Sequence, residues 1–113
     1  MEKKELRKIT REELYEVLKN HKRWLYTGGE EGEQADLTHT DLRGTNLFFA
    51  DLTGAKLSCA KLSYVNLYCA NLTGAVLDRA DLTGANLTSS IFKPASIRGA
   101  NLDLVSLTNA DIR

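Results

Sequence analysis

Ala70-Asn71-Leu72-Thr73-Gly74-Ala75-Val76-Leu77-Asp78-Arg79-Ala80-Asp81-Leu82-Thr83-Gly84 places a large apolar residue at every fifth position and a small one two places before it. The pattern extends in both directions without a slip. The large residues run from Leu37 to Ile112 in steps of five, all leucine except Phe92, Ile97 and Ile112. The small row runs from Ala35 to Ala110 and contains only Ala, Thr, Ser and Val. That makes sixteen consecutive matches.

A period of five fits neither an α-helix nor a flat strand. Fixed-period self-similarity is the mark of a solenoid, whose units bury their apolar faces only by stacking on their neighbours. The large residue and the small one point inward, and the small one lets the chain pass close to the axis. The residue between them and the two that follow point out.

Ala50-Asp51-Leu52-Thr53-Gly54, Ala70-Asn71-Leu72-Thr73-Gly74 and Ala80-Asp81-Leu82-Thr83-Gly84 match the A(D/N)Lxx consensus of the pentapeptide repeat family. The chain resembles that family over residues 35–113. The resemblance implies an all-β solenoid, a right-handed quadrilateral β-helix with four pentapeptides per coil. Sixteen repeats then make four coils, rising roughly 19 Å at the usual ~4.8 Å strand spacing. In coils of twenty the central residues stack as Leu37/Leu57/Leu77/Ile97, Leu42/Leu62/Leu82/Leu102, Leu47/Leu67/Leu87/Leu107 and Leu52/Leu72/Phe92/Ile112. Leucine at every level leaves no room for an enzyme cavity inside.

Gly44, Gly54, Gly74, Gly84 and Gly99 close their repeats, as a turn needing φ > 0 would ask. Phe49, Cys59, Tyr64, Cys69 and Arg79 hold the same position elsewhere, so a different turn is expected there. Pro94 cannot take φ > 0, and the least regular backbone is expected from Ser90 to Pro94.

Residues 1–34 form a separate N-terminal segment with a helix over 10–28. Thr10 is the N-cap, Glu13 completes a capping box, and Ile9 with Leu14 makes a hydrophobic staple. Leu14, Val17, Leu18, His21 and Leu25 share one face. Gly28 and Gly29 supply the stop. Solenoids need polar-faced ends, so the helix is expected to cap the first coil through Leu14, Leu18, Trp24 and Leu25. The rival reading is a free helix that binds a partner. At the other end Ile97, Leu102, Leu107 and Ile112 are expected to lie partly open. Family members often dimerise through that end, so the resemblance implies a homodimer there. The alternative is that the sequence is a fragment.

Fifteen basic and fifteen acidic residues give zero net charge in 113 residues. There is no basic footprint for nucleic acid and no apolar run of membrane-spanning length. The N-terminus lacks the apolar stretch of a secretory leader. A soluble cytoplasmic protein is expected, with Cys59 and Cys69 as free thiols on opposite faces. No nucleophile motif, phosphate loop or metal set is present, so no catalytic, cofactor or metal residues and no small-molecule substrate are expected. His39 and Cys59 fall one coil apart at one repeat position, and the simpler reading is two exposed turn residues. Asp41/Lys61/Asp81 and Asn46/Asn66/Asn86 form a charged and an amide column, both structural.

The surface feature to follow is aromatic. Phe48 and Phe49 fill both outward positions of one repeat, Tyr68 stacks on Phe48, Cys69 on Phe49, and Tyr64 lies one face earlier. Phe48, Phe49, Tyr64 and Tyr68 are the candidate partner-binding residues. Two structural explanations compete: the N-terminal segment or residues 30–34 cover them, or stacked aromatics stabilise a strand pair. A non-enzymatic binding or scaffold module with an unknown protein partner is the expected function. The alternative is a DNA mimic protecting or inhibiting a type II topoisomerase, as some family members do. Such a mimic needs a strongly negative surface, which zero net charge, Lys56, Lys61 and a short solenoid argue against.

Overall fold

The computed structural model describes residues 5–112. Met1 to Lys4 and Arg113, the outermost residues of the two expected segments, lie outside it. Within the repeats, parallel bridges join residues twenty apart, from Asp36↔Lys56 through Asn71↔Ile91 to Ile91↔Asp111. The bridging residue is always the one before the central apolar residue. Each bridge has the same two rungs: Leu37 N–H donates to the Lys56 carbonyl at 2.8 Å, and Lys56 N–H donates to the Ala35 carbonyl at 2.9 Å. A corner every five residues limits each strand to one bridge, so ladders of isolated bridges replace a continuous sheet.

The side chains explain the period. Leu37, Leu52, Leu72, Leu77, Leu82 and Leu87 are wholly buried, as are Ala55, Ala60, Ala70 and Ala75. Phe92 enters the same core at 7 % exposure, under Leu72 in the expected column. Burial fades towards the far end: Ile97, Leu107 and Ile112 are exposed, at 41 %, 39 % and 61 %.

The corners correct one expectation. In those from Leu42 to Leu107, the carbonyl of the central residue accepts the N–H three residues on, as in Ala50 N–H to Leu47 O at 3.1 Å and Ala55 N–H to Leu52 O at 2.9 Å. The third residue of the turn has positive φ whether or not it is glycine: 71° at Gly54, but also 59° at Phe49, 60° at Cys59, 58° at Tyr64, 56° at Cys69 and 61° at Arg79. All use the type II geometry. The left-handed region disfavours L-residues by about 1–2 kcal/mol, but two rungs and the corner bond fix the backbone at every level. Phe49 N–H, for instance, donates to Tyr68 O at 2.8 Å. Pro94 is the exception, following a cis peptide bond. No backbone bond joins Gly74 N–H to Lys93 there, whereas the rung one level back, Gly54 N–H to Thr73 O, is 2.8 Å. The irregularity is confined to that rung, and Phe92 N–H still reaches Asp111 O at 2.8 Å.

Among the described residues one helix, α1, spans Arg11–Tyr26. Thr10 caps it: Glu13 N–H donates to Thr10 Oγ1 at 3.0 Å and Thr10 N–H donates to Glu13 Oε1 at 2.9 Å. The helix ends two residues before the expected stop. Gly28 N–H bonds to Leu25 O and Gly29 N–H to Trp24 O at 2.9 Å, with φ of 63° at Gly28, which is a Schellman closure. Thr10→Ala is expected to cost about 1 kcal/mol in thermal melts, with Thr10→Ser restoring most of it. An equal loss from both would mean the hydroxyl is not the cap.

Leu14 joins the repeat core, with Ile9, Val17 and Leu18 packed against it. His21 is fully buried, and its Nδ1 accepts Ala35 N–H at 2.9 Å. A contact not foreseen precedes the helix. Arg7 forms a parallel bridge with Thr40: its N–H donates to His39 O and its carbonyl accepts Asp41 N–H, both at 2.8 Å. One extended residue thus covers part of the first coil's edge.

Candidate interaction surface

The outward side chains stand where the corner bonds put them. The position before each central residue is often Asp or Asn, and its side-chain oxygen accepts the N–H two residues on. Asn46 Oδ1 takes Phe48 N–H at 3.2 Å, and Asn66 Oδ1 takes Tyr68 N–H at 3.0 Å. Asn86 does the same for Thr88. The expected amide ladder therefore resolves into caps within single repeats, because an Asx bond to the same corner is shorter range than a bond along the stack. Where Ser96 replaces the Asx residue, Asp78 from the previous coil accepts Arg98 N–H at 3.1 Å instead.

Phe48, Phe49 and Tyr68 converge. Phe48 and Phe49 meet edge to face, with centroids 5.5 Å apart and an interplanar angle of 81°. Phe49 meets Tyr68 at 5.7 Å and 76°, so Tyr68 engages Phe49 and not Phe48 as expected. A hydrogen bond with the Cys69 side chain raises the Tyr68 phenol pKa. Exposure of 53 % at Phe48 and 63 % at Phe49 shows that, among the described residues, neither the N-terminal segment nor residues 30–34 cover them. The geometry fits mutual aromatic stabilisation and an open apolar patch equally.

Tyr64 is not part of this cluster. Its ring lies across Gly84: a Cβ at Gly84 would sit 2.7 Å from Tyr64 Cδ1. It is 67 % exposed, on the face before the other three.

Asp41 pairs with Arg43 in its own repeat, at 2.9 and 2.8 Å, and with Lys8 at 3.3 Å. The Arg43 hydrogen bonds hold its carboxyl well below the usual range. The Asp41↔Lys61↔Asp81 bridges are present, but Asp81 is stabilised first by hydrogen bonds from Thr83 and only more weakly by Lys61. His39 and Cys59 occupy successive levels of one corner, with φ of 53° and 60°. Cys59 and Cys69 are free and half-buried. Among the described residues no three His, Cys, Asp or Glu side chains gather as a metal ion would require. Among the described residues no helix is long and apolar enough to cross a membrane. Ile97, Leu102, Leu107 and Ile112 line one concavity of about 200 Å³ with Phe92, Pro94 and Ala95.

Comparison with known proteins agrees with this geometry. No curated protein matches the chain. Among solved structures, a pentapeptide repeat protein from the cyanobacterium Cyanothece is 36 % identical with a TM-score of 0.48, covering 72 % of this chain and 48 % of its own. One from the Arabidopsis thaliana thylakoid lumen is 29 % identical at a TM-score of 0.50, covering 71 % and 59 %. HetL from Nostoc, described as involved in heterocyst differentiation regulation, is 36 % identical at 0.35, covering 69 % and 43 %. The chain thus spans roughly half the length of these proteins. The sequence model of pentapeptide repeats matches residues 33–63 and 55–93 in eight copies, more than half of the chain. With corners every five residues and bridges every twenty, as a right-handed quadrilateral β-helix requires, the chain belongs to the pentapeptide repeat family.

Proposed function

We propose that this chain is a non-enzymatic protein-binding or scaffold module, built as four coils capped by α1. Its contact surface is Phe48, Phe49 and Tyr68, with Tyr64 flanking it. It takes no cofactor, metal, small-molecule substrate, nucleic acid or membrane. It works in the cytoplasm, a setting that two free thiols suit. In the same proposal Ile97, Leu102, Leu107 and Ile112 are the contact for a second copy. The observation that carries the reading is the cluster of three contacting rings, left exposed on the outer face of the stack. Aromatic side chains anchor interfaces because they bury much area at little entropic loss.

The test is affinity capture from the source cell extract with wild type and a Phe48→Ser/Tyr68→Ser variant. The double variant is expected to lose one specific protein while its far-UV spectrum and melting stay close to wild type. Retention of every captured protein by the folded variant would defeat the assignment of this surface.

A further inference from the structure

His21 is the one titratable side chain that is fully buried among the described residues. It lies in the seam between α1 and the first coil, where Nδ1 accepts Ala35 N–H at 2.9 Å. A ring nitrogen that accepts a hydrogen bond carries no proton, so the contact assigns a neutral imidazole with its hydrogen on Nε2. Nε2 itself has no hydrogen-bond partner. The ring stacks on Trp24, with centroids 5.5 Å apart at 20°. Trp24 in turn reaches the corner at Gly54, where a Cβ would lie 3.8 Å from the indole.

We propose that the His21–Ala35 contact is an acid-sensitive latch: protonation of Nδ1 sets a donor against the Ala35 N–H and releases α1 from the first coil, while the rungs between repeats stay paired. The inference does not depend on the aromatic surface. Twelve bridges between repeats hold the stack without His21, whereas the Ala35 bond and the neighbouring Thr53 backbone are what tie the ring to the first coil.

The surrounding charges set the sign. Burial lowers the His21 pKa, while the Thr53 backbone and the Asp51 carboxylate, both from the first coil, work against it. On the helix and the segment after it, Lys22, Arg23, Glu31 and Glu33 are exposed, and Arg23 pairs with Glu31. A released His21 has its ordinary value of about 6.5, so the released state binds more protons. Anchoring is intact above that pH. It weakens by up to about tenfold per pH unit below it, until the lowered value is reached.

Trp24 is the sole tryptophan and reports on the seam directly. The experiment follows its emission maximum from about pH 8 to about pH 5, with hydrogen exchange of α1 amides referenced to repeat amides. Wild type and His39→Asn are expected to show a red shift and loss of α1 protection below about pH 6.5, with the repeats still protected. His21→Asn, whose amide oxygen keeps an acceptor but does not titrate, is expected to show neither. A wild-type emission maximum that stays fixed to about pH 5, or the same shift in His21→Asn, would overturn the latch. Should His21→Asn fail to fold, NMR titration of His21 in the wild type decides. A midpoint coinciding with the Trp24 shift supports the latch, and a midpoint at or above about 6.5 with Trp24 unmoved overturns it.

Discussion

Leu72→Ala is expected to lower stability by about 2–5 kcal/mol, and Ile112→Ala, in the same column, by no more than about 0.5 kcal/mol. Leu72 has no exposed surface, and its N–H bonds Ile91 O at 2.7 Å. Leu52 and Phe92 lie one coil away on either side, so truncation opens a void that its neighbours cannot fill without breaking rungs. Ile112 is 61 % exposed and leaves no cavity when shortened. The solenoid's nearest-neighbour energetics add a second signature. A gap in the middle should uncouple the two halves, lowering the urea m-value as well as the midpoint. Urea titration by far-UV circular dichroism checks both. A Leu72→Ala cost below about 1 kcal/mol would mean that the core is loosely packed.

Gly32→Ala is expected to destabilise by roughly 2–4 kcal/mol, and Gly28→Ala by about 1–2 kcal/mol. Both glycines have positive φ, 72° and 63°, so both substitutions carry the left-handed penalty. They differ in space. A Cβ at Gly28 meets nothing within 4 Å, whereas one at Gly32 would lie 2.8 Å from the Trp24 backbone nitrogen and closer still to the Asn20 carbonyl. Those atoms belong to the helix backbone and cannot swing aside. The segment from Thr27 to Gln34 folds tightly against α1, with Glu33 N–H on Asn20 O at 3.2 Å, and the added methyl would push it off. Thermal melts of the two variants, with Trp24 emission as a local report, check the difference. Equal losses would rule out the clash.

The sequence made the repeat region legible because its core is a one-dimensional rule. A leucine every fifth residue can face one axis in only one way, and the stacked columns follow. The capping box was equally legible, since Thr10 and Glu13 act over three residues. What escaped is what the backbone imposes on side chains. Phe49, Cys59 and Arg79 gave no hint of positive φ, because the rungs and corner bonds, not the residue type, dictate it. Asn46 and Asn66 looked like a ladder because the spacing puts them in a column. Their oxygens find a nearer donor in their own corners. Arg7 lies in a run of charges with no strand signal, and its bridge rests on main-chain groups that any residue carries. His21 was placed on the right helix face, but nothing in the spacing showed that its ring would accept a hydrogen bond. The column rule put Phe48, Phe49 and Tyr68 on one edge but paired Tyr68 with Phe48, whereas its ring meets Phe49. It missed that Tyr64 has a neighbouring glycine to lie on.

The uniform corners have a consequence for how such a surface can change over time. Since residues as unlike as Phe49, Cys69 and Ser89 adopt φ of 59°, 56° and 59° at successive levels of one edge, the fold scarcely constrains what is written there. The exterior behaves as a lattice of addresses, each defined by a level and a side, with one level every ~4.8 Å. Moving an aromatic from position 49 to 69 or 89 shifts a contact by about one or two steps of that lattice without redrawing the scaffold. Recognition can therefore be rewritten one site at a time, on a backbone whose rungs and corners stay the same.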